Sequence, residues 1–356
     1  MKILYLMHVD WDWIKQRPQF LAEFLVKNNV GVDVFYNKYK ANNLVKNDRS
    51  LFRNIAPIPY LRGSRFKVIR YINRLLYILF LVLIQQKEKY DYIFITHPKF
   101  FSKVIKCKLI YDCMDDYVEF NKEKKDREIA LITERKVISQ SELVIFSAKY
   151  LQDVVKARQL TPVKRSIIVN NAIQMPSNDI KREVSNKNKD EIIITYIGTI
   201  SEWFDFELLE EVKRLYKEKN IIFNLYGPVD LANRKDSCNF NFKGAINHDR
   251  IFDIMGESDI LMMPFVVTDL IKSVNPVKLY EYIYSGKPTI CVRYGESEKF
   301  DKQVYLYENG NPESFISQIQ QIEQNGYRGK LDENEINLFI QNNTWESRGK
   351  QILEVL

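Results

Sequence analysis

The sequence predicts an α/β protein made of two doubly wound parallel-sheet domains. Three observations carry that expectation. Short apolar, β-branched segments recur with little polar alternation, the pattern of parallel strands covered on both faces. Amphipathic segments of helical period lie between them, and strand–helix alternation of this kind builds a doubly wound sheet. A polar stretch at 174–190, "QMPSNDIKREVSNKNKD", is almost free of apolar residues and divides the series in two. A length of 356 residues, with 46% hydrophobic and 28% charged residues, suits two cores.

In the first half, "KILYLMHV" (2–9), "VGVDVFY" (30–36), "YDYIFIT" (90–96), "KLIYDC" (108–113), "ELVIFS" (142–147) and "RSIIVN" (165–170) read as buried strands. Helical patterns such as "RPQFLAEFLVKNN" and "REIALITERKVISQ" separate them. The second series runs through "EIIITYIG" (191–198), "IIFNLYG" (221–227), "NFNFKG" (239–244), "DILMMPF" (259–265) and "KPTICVR" (287–293). Between these lie "FDFELLEEVKRLYKE" and "HDRIFDIMGE", and "NTWESRGKQILEVL" reads as a terminal helix. Both halves are Rossmann-like. Open α/β sheets bind ligands at the carboxyl ends of their strands, so two facing sheets imply an interdomain cleft lined by strand-to-helix loops.

Charge is unevenly placed. Residues 1–172 hold 31 Lys/Arg and 17 Asp/Glu (31 − 17 = +14), and residues 173–356 hold 22 and 29 (22 − 29 = −7). A basic first half suits an anionic partner. The basic residues are not interleaved with aromatics in a recognisable module, so nucleic acid is not expected. Cys107, Cys113, Cys238 and Cys291 show neither metal spacing nor the density of a disulfide scaffold, which fits a reducing cytoplasm. The N-terminal "MKILYLMHVDWDW" reads as a first strand rather than a signal peptide.

The segment "SVNPVKLYEYIYSGKPTI" (273–290) marks a helix start. Asn275 is a favoured N-cap, and Pro276 suits the first helical position. Free amides and the positive dipole end make such a terminus an anion site. Lys278 and Glu281, three apart, project from one face: the lysine can supplement the terminus on a phosphate, and the carboxylate can accept from the vicinal hydroxyls of a ribose. The bland alternative is an exposed ion pair worth a few tenths of a kcal/mol.

"NPVKLYEYIYSGKPTI", preceded by "SDILMMPF", resembles the nucleotide-binding signature of GT-B glycosyltransferases of the family 4-like group. "YIGTISEWFDFELL", "LYGPVD", "FKGAINHDRIFDIMGESDILMMPF" and "IVNNAI" match further segments of that group in order, while "DWDWIKQRPQFLAEFL" and "LIYDCMDDYVEF" resemble a subgroup that builds exopolysaccharide or teichuronic-acid-like wall polymers. Two departures stand out. Ser273 occupies the place of the group's first glutamate, and "GTISEWFDFELL" carries no base, leaving Lys278 most of the side-chain charge on a diphosphate.

The resemblance implies an acceptor domain at 1–173, a linker at 174–190, a nucleotide-sugar domain at 191–340, and a helix at 341–356 packing back toward the first domain. It implies that Gly198 and Thr199 approach the diphosphate, with Gly227 at the next strand end. Gly244, Ala245 and Ile246 would lie beside a uracil edge, and Asp269 and Ser273 would face the donor sugar. In "YDCMDDYVEF", Asp112, Asp115 and Asp116 follow a strand, and an inverting transfer needs a base there. Asp115 is the first choice and Asp116 the second, against a helix-capping alternative. A metal site is a third option, but GT-B enzymes generally use none, so neither metal nor cofactor is expected beyond the nucleotide-sugar co-substrate. His8 is a further catalytic candidate, Arg17 and His97 are candidates for holding the acceptor, and His248 reads as a capping or surface group.

Residues 61–89 carry Arg62, Arg65, Lys67, Arg70 and Arg74, then the ten-residue apolar run Leu75 to Ile84. Spanning a bilayer takes about 20 apolar residues, so the segment reads as lying in the plane of an anionic leaflet, or as a buried helix with a basic face. The function expected is transfer of a sugar from a UDP-linked donor to a bacterial surface glycan, lipid-linked at the cytoplasmic face of the plasma membrane. A nucleotide-sugar epimerase and a non-catalytic glycan-binding subunit are the alternatives.

Overall fold

The computed structural model describes residues 1–38, 47–63, 65–176, 190–230, 239–247 and 250–356. The chain divides into two compact units, Met1–Asn170 with Trp345–Leu356, and Asn171–Thr344. Most of the expected linker, residues 177–189, lies outside the described residues, as do Cys238 and His248.

Among the described residues, the sheet of the first unit holds β1 (Lys2–Met7), β2 (Gly31–Tyr36), β3 (Asn54–Pro57), β4 (Tyr92–Ile95), β5 (Lys108–Cys113), β6 (Ser141–Phe146) and β7 (Ser166–Ile168). The order is β3-β2-β1-β4-β5-β6-β7, all parallel. Ile3 to Met7, Ile93 to Ile95 and Val144 to Phe146 are buried on both faces, which is why these strands lack alternation. Helices α1 (Arg17–Lys27), α2 (Lys67–Lys87), α3 (Lys124–Gln140) and α4 (Lys149–Ala157) connect them. α1 opens on a capping box between Gln16 and Gln19. The strand order reverses between β1 and β4, the point at which open α/β sheets bind ligands at the carboxyl ends of their strands.

The second unit holds β8 (Glu191–Ile197), β9 (Asn220–Tyr226), β10 (Phe240–Gly244), β11 (Ile260–Met263), β12 (Thr289–Val292) and β13 (Tyr305–Tyr307) in the order β10-β9-β8-β11-β12-β13. Its helices are α5 (Phe206–Leu215), α6 (Ile251–Glu257), α7 (Asp269–Lys272), α8 (Val277–Ser285), α9 (Pro312–Gln324) and α10 (Glu333–Gln341). The reversal lies between β8 and β11. Two edge strands, β3 and β13, go beyond those expected from the sequence. Each spans three or four residues, too few for period to register.

The final helix, α11 (Trp345–Leu353), belongs to the first unit and packs on α1. Phe20 stacks on Trp345 at 5.0 Å between ring centroids. Gly349 gives this packing its closeness, because a Cβ there would stand 2.2 Å from the ring of Phe24. Replacing Gly349 by Ala should therefore lower stability by about 1–3 kcal/mol despite the better helix propensity of alanine. Urea unfolding measures it, and Phe24→Leu in the same chain should recover part of the loss. An unchanged midpoint for Gly349→Ala would refute the tight contact.

Candidate functional site

In the second unit the chemistry gathers at the carboxyl edge of the sheet. β8, β9 and β10 end at neighbouring glycines. The Gly198 amide donates to the Tyr226 carbonyl at 2.9 Å, and the Gly227 amide donates to the Gly244 carbonyl at 2.8 Å. Gly227 has φ +139°, and a Cβ there would lie 2.0 Å from the Gly198 carbonyl oxygen. No other residue fits that approach. The Tyr196 hydroxyl folds beneath Gly198 and donates to the Thr199 carbonyl at 2.9 Å. Thr199, Gly244 and Ala245 are exposed at this edge, and Ile246 is half-buried against the core.

Helix α8 is fastened to the same edge. The buried Tyr282 hydroxyl accepts from the Ile197 amide at 2.9 Å and lies 3.3 Å from the Ile197 carbonyl, one residue before Gly198. On the same helix the Lys278 ammonium donates to Glu281 Oε2 at 2.8 Å. Glu281 is buried while Lys278 is half-exposed, so the pair is neither a surface ion pair nor a fully desolvated one.

The start of α8 differs from the expectation. Val277 is its first residue and Pro276 the N-cap. Asn275 does not cap it, because its side chain is drawn elsewhere. Asn275 Oδ1 accepts from the Asn171 amide at 2.8 Å and from the Tyr280 hydroxyl at 3.1 Å, and its Nδ2 donates to Glu296 at 3.3 Å. Asn275 thus holds the helix start in place from within the core. Ser273 is buried, with its hydroxyl donating to the Asp269 carbonyl at 3.2 Å, and Asp269 pairs with Lys272.

In the first unit, His8 follows β1 and His97 follows β4, so the strand-order reversal brings them together with ring centroids 5.3 Å apart. Thr96 sits between: its hydroxyl accepts from the His8 amide at 3.1 Å and contacts His8 Nδ1 at 2.8 Å. His97 Nδ1 accepts from the Lys99 amide at 3.1 Å, which assigns the proton to Nε2. Burial, followed by the nearby Lys99 charge, lowers His8 to about 4 and His97 to about 2. Lys99 itself falls to about 8 through desolvation. At neutral pH both imidazoles are uncharged.

The three acids at the end of β5 and just past it separate cleanly. Asp112 is buried against Arg17, whose Nε and Nη2 reach its oxygens at 2.9 and 2.8 Å while Nη1 donates to the Val169 carbonyl at 2.6 Å. Arg17 is therefore a buried strut joining α1, β5 and the end of β7, and it presents no open fork to an acceptor. Asp116 accepts from the Val118 and Glu119 amides, both at 3.1 Å, and pairs with Arg158 at 2.8 Å, which also holds Glu134 at 2.7 Å. It serves as a turn cap inside an ion network. Asp115 alone is exposed, yet protein crowds its carboxyl. Desolvation, with Asp112 and Asp116 adding to it against Arg17, raises Asp115 to about 6.

Lys99, Thr96, Tyr282 and Asn171 join these sites without having been singled out in the sequence. A lysine two residues past a strand-end histidine was the one legible signal among them. Among the described residues no cluster of three or more His, Cys, Asp or Glu is arranged to hold a metal.

Residues 191–325 match the family model described as glycosyl transferases group 1. TuaH of Bacillus subtilis (strain 168), whose name assigns it to teichuronic acid biosynthesis as a glycosyltransferase, is 23% identical over 233 residues. That match covers 60% of this chain and 58% of TuaH. Among solved structures, sucrose-phosphate synthase from Thermosynechococcus elongatus superposes with a TM-score of 0.75 at 15% identity, over 100% of this chain and 98% of that one. HepE of Anabaena in complex with UDP gives 0.69 at 13% identity, over 100% and 99%. Residues 191–325 are thus a glycosyl transferases group 1 domain, in a chain whose two parallel-sheet units have the GT-B fold.

Proposed function

We propose that this protein moves a sugar from a nucleotide-linked donor, UDP-linked by preference, to a hydroxyl of a bacterial surface-glycan acceptor. The observation that carries the reading is the attachment of α8, the helix that carries the Lys278–Glu281 pair, to the glycine edge through Tyr282 and Ile197. The first amides of α8 and Lys278 would meet the diphosphate and stabilise the charge that develops as UDP leaves. Glu281 would exchange its bond to Lys278 for the ribose hydroxyls. Support for uridine comes from HepE of Anabaena, whose solved structure holds UDP.

The first unit would bind the acceptor and supply the base. Asp115 is the exposed acid after β5, and it would take the proton of the attacking hydroxyl. Neutral His8 and His97 would offer Nε2–H donors to acceptor or sugar oxygens. With Ser273 turned inward, Asp269, exposed at the start of α7 and paired with Lys272, would face the donor sugar. The acceptor would be lipid-linked and the protein peripheral at the inner face of the plasma membrane, with contact through residues 61–89, in keeping with the wall-polymer assignment that TuaH carries by name.

A thermal-shift titration tests the donor site. UDP should raise the Tm of the wild type, and Lys278→Ala or Glu281→Ala should each weaken UDP by about tenfold to a hundredfold, the worth of a charge-assisted hydrogen bond. Glu281→Gln should fall between. A shift surviving both alanine variants would remove the assignment.

Asp115 must be ionised to accept a proton, so the rate should rise as pH climbs through about 6 and level off above it. Asp115→Asn should lower kcat by about a hundredfold to ten-thousandfold with UDP binding intact. The stability sign is opposite to that of a paired carboxylate. The unfolded chain ionises near 3.8 and the folded one near 6, so the native state holds the extra proton between them and loses stability as pH rises through that window. Asp115→Asn should remove that slope, and a variant with an unchanged slope in pH-dependent unfolding would refute the shifted group.

A further inference from the structure

Helix α2 runs 21 residues, and by length and composition it qualifies to cross a membrane, longer than the ten-residue apolar run alone suggests. Its two faces differ. On one, Leu81 is buried and Tyr77, Phe80 and Ile84 pack on the core of the first unit. The Tyr77 hydroxyl donates to the Phe100 carbonyl at 2.5 Å, Gln85 Nε2 donates to the Val104 carbonyl at 3.2 Å, and Gln85 Oε1 accepts from the Lys106 amide at 3.0 Å. On the other, Val68, Tyr71, Leu75, Leu79 and Leu83 recur at helical spacing, each between 48% and 68% exposed. The stripe is about 22 Å long at 1.5 Å per residue. Asn73 clamps both backbone groups of Leu61, at 2.6 and 3.0 Å, and exposed Tyr60, Leu61 and Phe66 extend the apolar surface at the helix start.

We infer that α2 is an in-plane membrane anchor, its outward stripe entering the acyl boundary of an anionic leaflet while its inward face stays on the sheet. This rests on, and deepens, the membrane contact proposed above. A spanning helix would have to shed the Tyr77 and Gln85 bonds and the packing of Leu81, which a helix lying on the surface keeps. Charge selects the lipid. Exposed Arg62, Arg65, Lys67, Arg70 and Arg74 surround the first turns, and residues 49–87 contain no acidic side chain. The same charges oppose a second copy of the chain as the occupant, since pairing the stripes would set basic turns against basic turns.

Flotation of the full chain with phosphatidylcholine vesicles, with and without phosphatidylglycerol, decides the matter. The wild type should float with the anionic vesicles, float less as salt rises, and be released by alkaline carbonate. Leu75→Glu/Leu79→Glu/Leu83→Glu should lower the apparent affinity by at least about tenfold, and Arg65→Gln/Arg70→Gln/Arg74→Gln should remove the preference for phosphatidylglycerol. Circular dichroism and the UDP thermal shift are measured on the same variants. A retained UDP shift with lost flotation supports the anchor and leaves the donor site standing, whereas lost UDP binding in the wild type would sink the donor reading alone. Retention after carbonate, unchanged flotation of the glutamate variant, or a wild-type dimer that this variant dissociates would overturn the anchor.

Discussion

The approach of Gly227 to the carbonyl of Gly198 is the constraint on which the second unit's site depends. With 2.0 Å left for a Cβ, the two strand ends close on each other only through bare backbone. That closeness aligns the amides of three successive strands into one edge, and Tyr282 then ties α8 to it through Ile197. A side chain at 227 would part β8 from β9 and carry the α8 terminus away with β8. Fastening α8, which carries Lys278 and Glu281, to the edge is therefore a backbone effect first and a side-chain effect second.

The first unit reaches its arrangement by the opposite route, through buried charge. Arg17–Asp112 and Arg158 with Asp116 and Glu134 are ion networks taken almost wholly out of water. Such pairs give little net stability, since desolvation offsets much of the Coulomb attraction, but removing one partner leaves an uncompensated charge. Their effect is geometric. They fix the start of α1, the end of β5 and the turn after it, and they take up two of three adjacent acids. The remaining one, Asp115, is desolvated by the protein packed around its carboxyl and feels both as negative neighbours, which raises its pKa to about 6.

The strands and helices were legible in the sequence because burial on both faces removes polar alternation, a signal that survives without a partner. "IIFNLY" and "LVIF" could hardly have been anything but parallel strands. What the sequence could not carry was competition for a side chain. Asn275 ahead of Pro276 has the local chemistry of a cap, and only the distant Asn171 and Glu296 draw it inward. Arg17 at a helix start looks like an anion ligand until Asp112, ninety-five residues away, claims it. Asp115 and Asp116 are neighbours of the same residue type, and what separates their surroundings is Arg158, which pairs with Asp116. Fold is set by pattern; a site is set by which long-range partner wins.

Two features run against the lowest-energy solution for an isolated soluble domain: an acid held partly protonated near neutral pH, and a helix face of large apolar side chains left in water. Natural chains break local rules of this kind where function requires it. The exposed stripe of α2 is costly only in the absence of an apolar phase, and the raised pKa of Asp115 would suit it to take up the proton of an attacking hydroxyl. The inner face of α2 gains its stability from the sheet and needs no lipid. The outer face can therefore be made polar without touching the core, which separates attachment to a surface from the fold that presents the site.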